Sequence, residues 1–175
     1  MKATGIVRRI DDLGRIVIPK EIRRTLRIRE RDALEIFTDR DGEVILKKYS
    51  PIADLEDFAQ EYAESLFEST HHICLITDRD AYIAVAGVGK RGFLDKSISD
   101  DIADILEERQ VFDSKLSGRT LSIPDFEDAN QILVPIIHEG DIAGSIILLS
   151  KEQELGDLEV RLCQTAADFL AKQLS

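Results

Sequence analysis

The distribution of charge along the chain constrains its architecture more than any other feature. Residues 1–50 hold 13 Lys and Arg against 9 Asp and Glu, a net of +4, whereas residues 51–175 hold 10 against 25, a net of −15. Between Lys2 and Arg31 the balance is ten to four. A split this sharp reads as two domains with different partners, and the overall charge of −11 conceals a basic module. Pro51 follows the last strand-like run of the basic half, so the boundary is expected at Ser50–Pro51, giving domains 1–50 and 51–175.

The basic half reads as ββαββ. Gly5 to Ile10 and Arg15 to Ile18 are expected strands, joined by Asp11-Asp12-Leu13-Gly14, whose Asp and Gly suit a turn. Pro19 opens a short helix to Leu26, with Ile22 and Leu26 four apart on one apolar face. Leu34 to Thr38 and Glu43 to Tyr49 complete the unit around Asp41-Gly42. Some fifty residues bury too little surface to stand alone comfortably, and these strands carry apolar residues on both faces. The economical solution is an intertwined homodimer sharing one core.

The acidic half opens with a helix expected over Ile52 to Ser69, where Leu55, Phe58, Tyr62 and Leu66 recur three and four apart as a seam for another helix. Strands follow at His72 to Thr77 and Tyr82 to Ala86. Ser97 or Ser99 is expected to cap a helix ending near Arg109. After a less regular stretch from Val111 to Asn130, a hairpin is expected from Ile132 to Ile137 and Ile142 to Leu149. The last helix, Gly156 to Leu174, places Leu158, Leu162, Ala166, Phe169 and Leu170 on one side. The two terminal helices read as partners in a bundle, pointing to self-association.

No stretch approaches the roughly 18 uninterrupted apolar residues of a membrane span, so no membrane partner is expected. Met1 to Arg9 lacks the apolar run of a signal peptide, and a cytoplasmic protein is expected. Cys74 and Cys163 sit among apolar neighbours and read as reduced core thiols.

The strongest chemical signal is arginine density. Arg8, Arg15, Arg23 and Arg24, with Arg9 and Arg27 secondary, are the candidate contacts to double-stranded DNA. The planar guanidinium donates two parallel hydrogen bonds, and its charge displaces condensed counterions from a duplex. In a two-fold dimer each arginine appears twice. The bland alternative pairs these arginines with Asp11, Asp12 and Glu21.

The segments Thr4 to Arg8, Asp12 to Pro19 and Glu21 to Leu26 closely resemble the AbrB family of transition-state regulators, and Asp32 to Phe37 with Ile45 to Tyr49 continues the match. Together they cover nearly all of residues 1–50. The resemblance implies an α+β protein whose first domain is a swapped-hairpin β-barrel dimer, with DNA contacts carried to Arg8, Arg15, Arg23 and Arg24. The acidic second domain resembles that of the longer, sporulation-stage members, in which a GAF-like α/β sensor domain follows. It implies a tetramer flanked by bundle-forming helices, associated with the nucleoid. The function implied is sequence-tolerant transcriptional regulation, by activation or repression, with a small molecule as the invited ligand of the sensor domain. The alternative reading is an antitoxin of a toxin–antitoxin pair, a group with related swapped-hairpin folds.

Other signals carry less. Gly87-Val88-Gly89-Lys90-Arg91-Gly92 matches G-x-G-x-x-G, but no helix opens at that loop, as a dinucleotide site requires; a mobile loop bordering a sensor pocket is expected instead. His71, His72 and His138 lack companions at metal-ligand spacing and read as solvated loop positions, so no metal is expected. Ser114, Ser117 and Ser122 have no nucleophile context. No cofactor and no enzymatic activity are expected.

Overall fold

In the computed structural model, which describes residues 5–174, the chain divides into two units, Met1–Tyr49 and Ser50–Ser175. Thr4, first residue of the family-like segment, lies outside the described residues.

In the first unit the Asp11–Gly14 turn forms as its residues dictate. Gly14 takes φ +77°, its amide donates to the Asp11 carbonyl at 3.1 Å, and the Asp11 amide donates to the Arg15 carbonyl at 3.0 Å. The flanking segments, Gly5 to Ile10 and Arg15 to Ile18, form no strand, contrary to expectation. A strand exists only where another supplies its hydrogen-bond ladder. Here Val7 and Val17 stand 84% and 71% exposed, with Ile10 and Ile16 also in solvent. Helix α1 (Lys20–Thr25) starts after Pro19, whose fixed φ suits a helix start, and none of its residues is buried. Strands β1 (Leu34–Thr38) and β2 (Val44–Lys48) pair antiparallel across Gly42 at φ +83°, with Ile36, Phe37, Val44 and Leu46 exposed.

The second unit begins with a 3-10 turn, Pro51–Leu55, rather than the helix expected from Ile52. Helix α2 proper is Glu56–Thr70; it ends where His71 turns left-handed and donates its amide to the Phe67 carbonyl at 2.7 Å. Strands β3 (Ile73–Thr77) and β4 (Tyr82–Ala86), helix α3 (Asp100–Glu108), the short β5 (Phe112–Asp113), a single helical turn α4 (Ser114–Ser117), the hairpin β6 (Asn130–His138) and β7 (Asp141–Ser150), and helix α5 (Asp157–Gln173) complete it. The five strands form one antiparallel sheet ordered β4-β3-β7-β6-β5.

Because side chains alternate across a sheet, each strand feeds two cores. Cys74, Ile76, Ala84, Ile132, Val134, Ile146 and Leu148 face α2 and α5, while Leu75, Val85, Leu133, Ile147 and Leu149 face α3 and the 111–130 segment. With both faces covered, the eight residues Ile142–Leu149 of β7 are all buried. The buried face of α5 is Cys163, Ala166, Ala167 and Leu170. Leu158 (65% exposed) and Phe169 turn to solvent, correcting the single apolar side expected.

One glycine is required by close approach. A Cβ on Gly144 would lie 1.9 Å from the Thr77 carbonyl oxygen, beside the buried 2.7 Å hydrogen bond between the Thr77 and Ser145 hydroxyls. Backbone cannot retreat there without parting β3 from β7. Gly144→Ala is therefore expected to destabilise the second unit by about 3 kcal/mol or more, the upper range of overpacking, read as a lowered urea midpoint; an unchanged midpoint would show that the strands spread freely.

Candidate nucleic-acid interface and sensor domain

Arg8 and Arg15 flank the Asp11–Gly14 turn, and Arg23 and Arg24 form the last turn of α1. Arg15 is held by an ion pair: its Nε donates to Asp11 Oδ2 at 2.8 Å, so this part of the bland alternative is realised. Asp11 also accepts the Leu13 and Arg15 amides through Oδ1, which ties off the turn. The Arg15 amide, then its guanidinium, hold the Asp11 carboxyl below its usual range. Arg8 donates to the Val7 carbonyl at 3.4 Å. Arg9, Arg23 and Arg24 are exposed, and the Arg27 carbonyl, at left-handed φ +51°, accepts from Lys48 Nζ at 3.1 Å. The basic side chains thus emanate from a turn and a short helix, backed by apolar residues that the single chain leaves open.

In the second unit, polar side chains pin the loops to the sheet. Asp101 accepts from the Ser99 hydroxyl, from the Ser122 amide at 2.7 Å and hydroxyl at 2.9 Å, and from the Ile102 amide at 2.9 Å. Burial works to raise its pKa, but these four donors outweigh it and hold the carboxyl below the ordinary range. Ser99 stands at the N-cap position of α3, yet its hydroxyl serves Asp101 rather than a helix amide, unlike the cap expected. Buried Gln131 joins the Leu121 amide and carbonyl and the Phe126 carbonyl, and Gln60 of α2 brackets both backbone groups of Val85 at 2.9 and 3.0 Å. A glutamine beside an apolar run was the only trace these clamps left in the sequence.

Tyr82 is 2% exposed and edge-on to Phe93 at 5.3 Å. Its hydroxyl is buried without a partner; burial, then the charge of Asp101, push it up to about 12. The glycine-rich loop after β4 packs back against its own unit. Gly87 at φ +83° meets the Phe67 ring, Lys90–Gly92 make a 3-10 turn, and the following residues bond to β4, Tyr82 N to the Lys96 carbonyl and Asp95 N to the Tyr82 carbonyl, both at 3.0 Å.

Two histidines differ from expectation as well. His72 is buried, its Nε2 3.7 Å from a Glu159 oxygen whose partner oxygen accepts the Gly156 amide at 2.8 Å. His138 Nδ1 lies 2.9 Å from the Ala171 carbonyl. Cys74 and Cys163 are buried free thiols in one core. Burial pushes both up, Cys163 to about 12, with the charges of Cys163 on Cys74 and of Glu159 on Cys163 adding to it. On the outer side of the helix pair, Phe58 and Tyr62 of α2 meet Phe169 of α5 at 5.6 and 5.5 Å between ring centres.

Residues 54–175 match the family model described as stage V sporulation protein T C-terminal, transcription factor, and residues 7–54 match antidote-toxin recognition MazE, bacterial antitoxin. The chain is similar to the stage V sporulation protein T of Bacillus subtilis (strain 168), 56% identical over 99% of each chain. It is also similar to the transition state regulatory protein AbrB of that organism, 67% identical over 29% of this chain and 52% of the relative. In fold, it is similar to the crystal structure of the GAF domain from an Acinetobacter phosphoenolpyruvate-protein phosphotransferase, with a TM-score of 0.59 and 13% identity over 69% of this chain and 81% of that one.

Two substitutions probe the second unit. Asp101→Asn is expected to cost about 2 kcal/mol at neutral pH through weakened charge-assisted bonds, a drop of several degrees in Tm. Because the folded pKa lies below the unfolded value near 3.9, that contribution is present above about pH 4 and disappears as pH falls further, so the two Tm curves should converge in acid. Parallel curves would remove the ionic role. Tyr82→Phe deletes an unpartnered hydroxyl and should leave Tm equal or raised; a fall of more than about 1 kcal/mol would reveal a hydrogen bond made in solution.

Proposed function

The chain belongs to the stage V sporulation protein T family, and from that premise we propose that it is a DNA-binding transcriptional regulator of sporulation-stage genes. Residues 1–50 bind double-stranded DNA as a homodimer, and residues 51–175 form the sensor and oligomerisation domain. The observation that carries this reading is the pairing, in one small unit, of exposed arginines with exposed apolar residues. Val7, Ile10, Ile16 and Val17 flank the turn that presents Arg8 and Arg15, and α1, with Arg23 and Arg24, buries nothing. A second copy gives Gly5 to Ile10 and Arg15 to Ile18 the ladder partners that strands require, and closes a swapped-hairpin barrel. Arg8, Arg15, Arg23 and Arg24 then reach phosphates twice over, with Arg9 and Arg27 as secondary contacts. Recognition is sequence-tolerant, since phosphate contact positions a protein without naming bases.

The outer ridge of the helix pair, Phe58, Tyr62, Phe169 and Leu158, supports tetramer formation through α2 and α5. A small molecule that favours one packing of these helices changes the spacing of the DNA-binding pairs by its differential affinity for the two states. The regulator works in the cytoplasm, on the nucleoid. The antitoxin reading rests on the match of residues 7–54, and the match of residues 54–175 to a transcription-factor domain favours the regulator.

Duplex titration at several salt concentrations tests the assignment. With six to eight phosphates neutralised, log K should fall against log[salt] with a slope of roughly −5 to −7. Arg8→Ala, Arg15→Ala, Arg23→Ala and Arg24→Ala each delete a charge from both protomers and should flatten that slope by about 2. Four variants that bind like the parent would sink the site.

A further inference from the structure

We propose that the outer edge of β5 is a docking site for an extended, basic and apolar peptide segment of a partner protein, independent of the DNA-binding arginines.

The site follows from topology. Helix α5 packs on one face of the sheet and α3 on the other, yet a groove of about 470 Å³ is lined by Ile105 and Glu108 of α3 and by Asp157 and Val160 of α5. Residues from opposite faces share a groove only where the sheet ends, here at the edge strand β5, whose residues also line it. The two edges of the sheet are treated differently. At β4 the bridges Ala81–Ser97 and Tyr82–Leu94 cover the backbone. Among the described residues, β5 pairs only with β6, and the groove runs along its other side, continued by the exposed Val111. Edges left bare accept strands from other chains, and main-chain bonds then supply affinity while pockets for alternate side chains supply specificity.

The groove also specifies the chemistry of the strand. Leu116 is 86% exposed on α4 and Val111 is exposed beside it, so the apolar positions are on offer. Glu108 and Asp157 stand exposed on either side. Asp113 is spent on capping α4, accepting the Lys115 amide at 2.8 Å. The cation in the lining, Arg119, lies over the Phe112 ring at 5.7 Å. Two carboxylates flanking an apolar strip fit a strand that alternates aliphatic residues with Lys or Arg.

The probe is a terminally blocked, fluorescein-tagged peptide of about eight residues alternating valine and lysine, with a valine–glutamate peptide as control, titrated against the full chain. The valine–lysine peptide should bind saturably, shift the backbone amides of residues 110–113 in isotope-edited NMR, and weaken as salt rises. Glu108→Lys with Asp157→Lys should reduce its affinity about tenfold and admit the control peptide instead. Leu116→Ser, which alters no charge and no buried residue, should weaken binding several-fold. DNA affinity of these variants should match the parent's. Absence of saturable binding, amide shifts confined to residues outside the groove, equal affinity for parent and charge-reversed chains, or a parallel loss of DNA binding overturns the assignment.

Discussion

A backbone that extends must find a second backbone, and in this chain that demand is met within the second unit and left open within the first. All five strands of the 51–175 sheet have ladders, and its central strand is buried on both faces. The first unit has one hairpin and two extended segments with neither ladder nor cover, although these contain the valines and isoleucines that favour strands. A β-branched side chain more than two-thirds exposed forfeits most of the 1.5–3 kcal/mol that its full burial supplies, and three such residues, Val7, Ile10 and Val17, flank a single turn. The proposed second copy recovers that burial and fixes where the arginines point, which would couple DNA binding to dimerisation in such a unit.

The second unit solves a different problem. Its sheet is apolar enough to collapse in several ways, and what selects one is a small number of polar side chains that reach backbone groups far along the chain. Gln131 gathers the loop at Leu121 and Phe126, Asp101 ties α3 to Ser122, and Gln60 holds β4 against α2. Gln131 satisfies groups that would otherwise be buried without partners, so removing it costs more than the net worth of a hydrogen bond. The Tyr82 hydroxyl stands outside this economy.

Much of this could be read in advance because period and punctuation are local. The hairpin of β6 and β7 announced itself by a long apolar run on each side of Glu139-Gly140, whose positive φ values make the turn. The start of α2 was misplaced because Pro51 and Ile52 suit either kind of helix, and the choice of a 3-10 turn depends on where Ile52 is buried. The extended segments around Asp11 look like strands for a local reason and fail to be strands in one chain for a non-local one. His72 illustrates the same limit: nothing in its neighbours tells that β3 will set it against Glu159, 87 residues on. The basic character of residues 1–50 was legible because charge density is compositional. The groove at β5 was not, since its walls come from four elements, α3, β5, α4 and α5, that meet only through the order of the strands.

That order also separates the surfaces physically. The apolar ridge on α2 and α5 lies on one face of the sheet, and the groove lies at the edge, so the two proposed contacts do not compete for the same surface. The charges keep the two from being confused. A unit of net −15 repels its own kind, so a contact between copies relies on aromatic surface such as Phe58, Tyr62 and Phe169, while Glu108 and Asp157 give the proposed groove its preference for basic segments. The same negative charge disfavours a polyanion near this unit, in keeping with the DNA contacts proposed for residues 1–50. Under the proposed function, charge segregation along the sequence lets one short chain address a polyanion and protein partners through different surfaces.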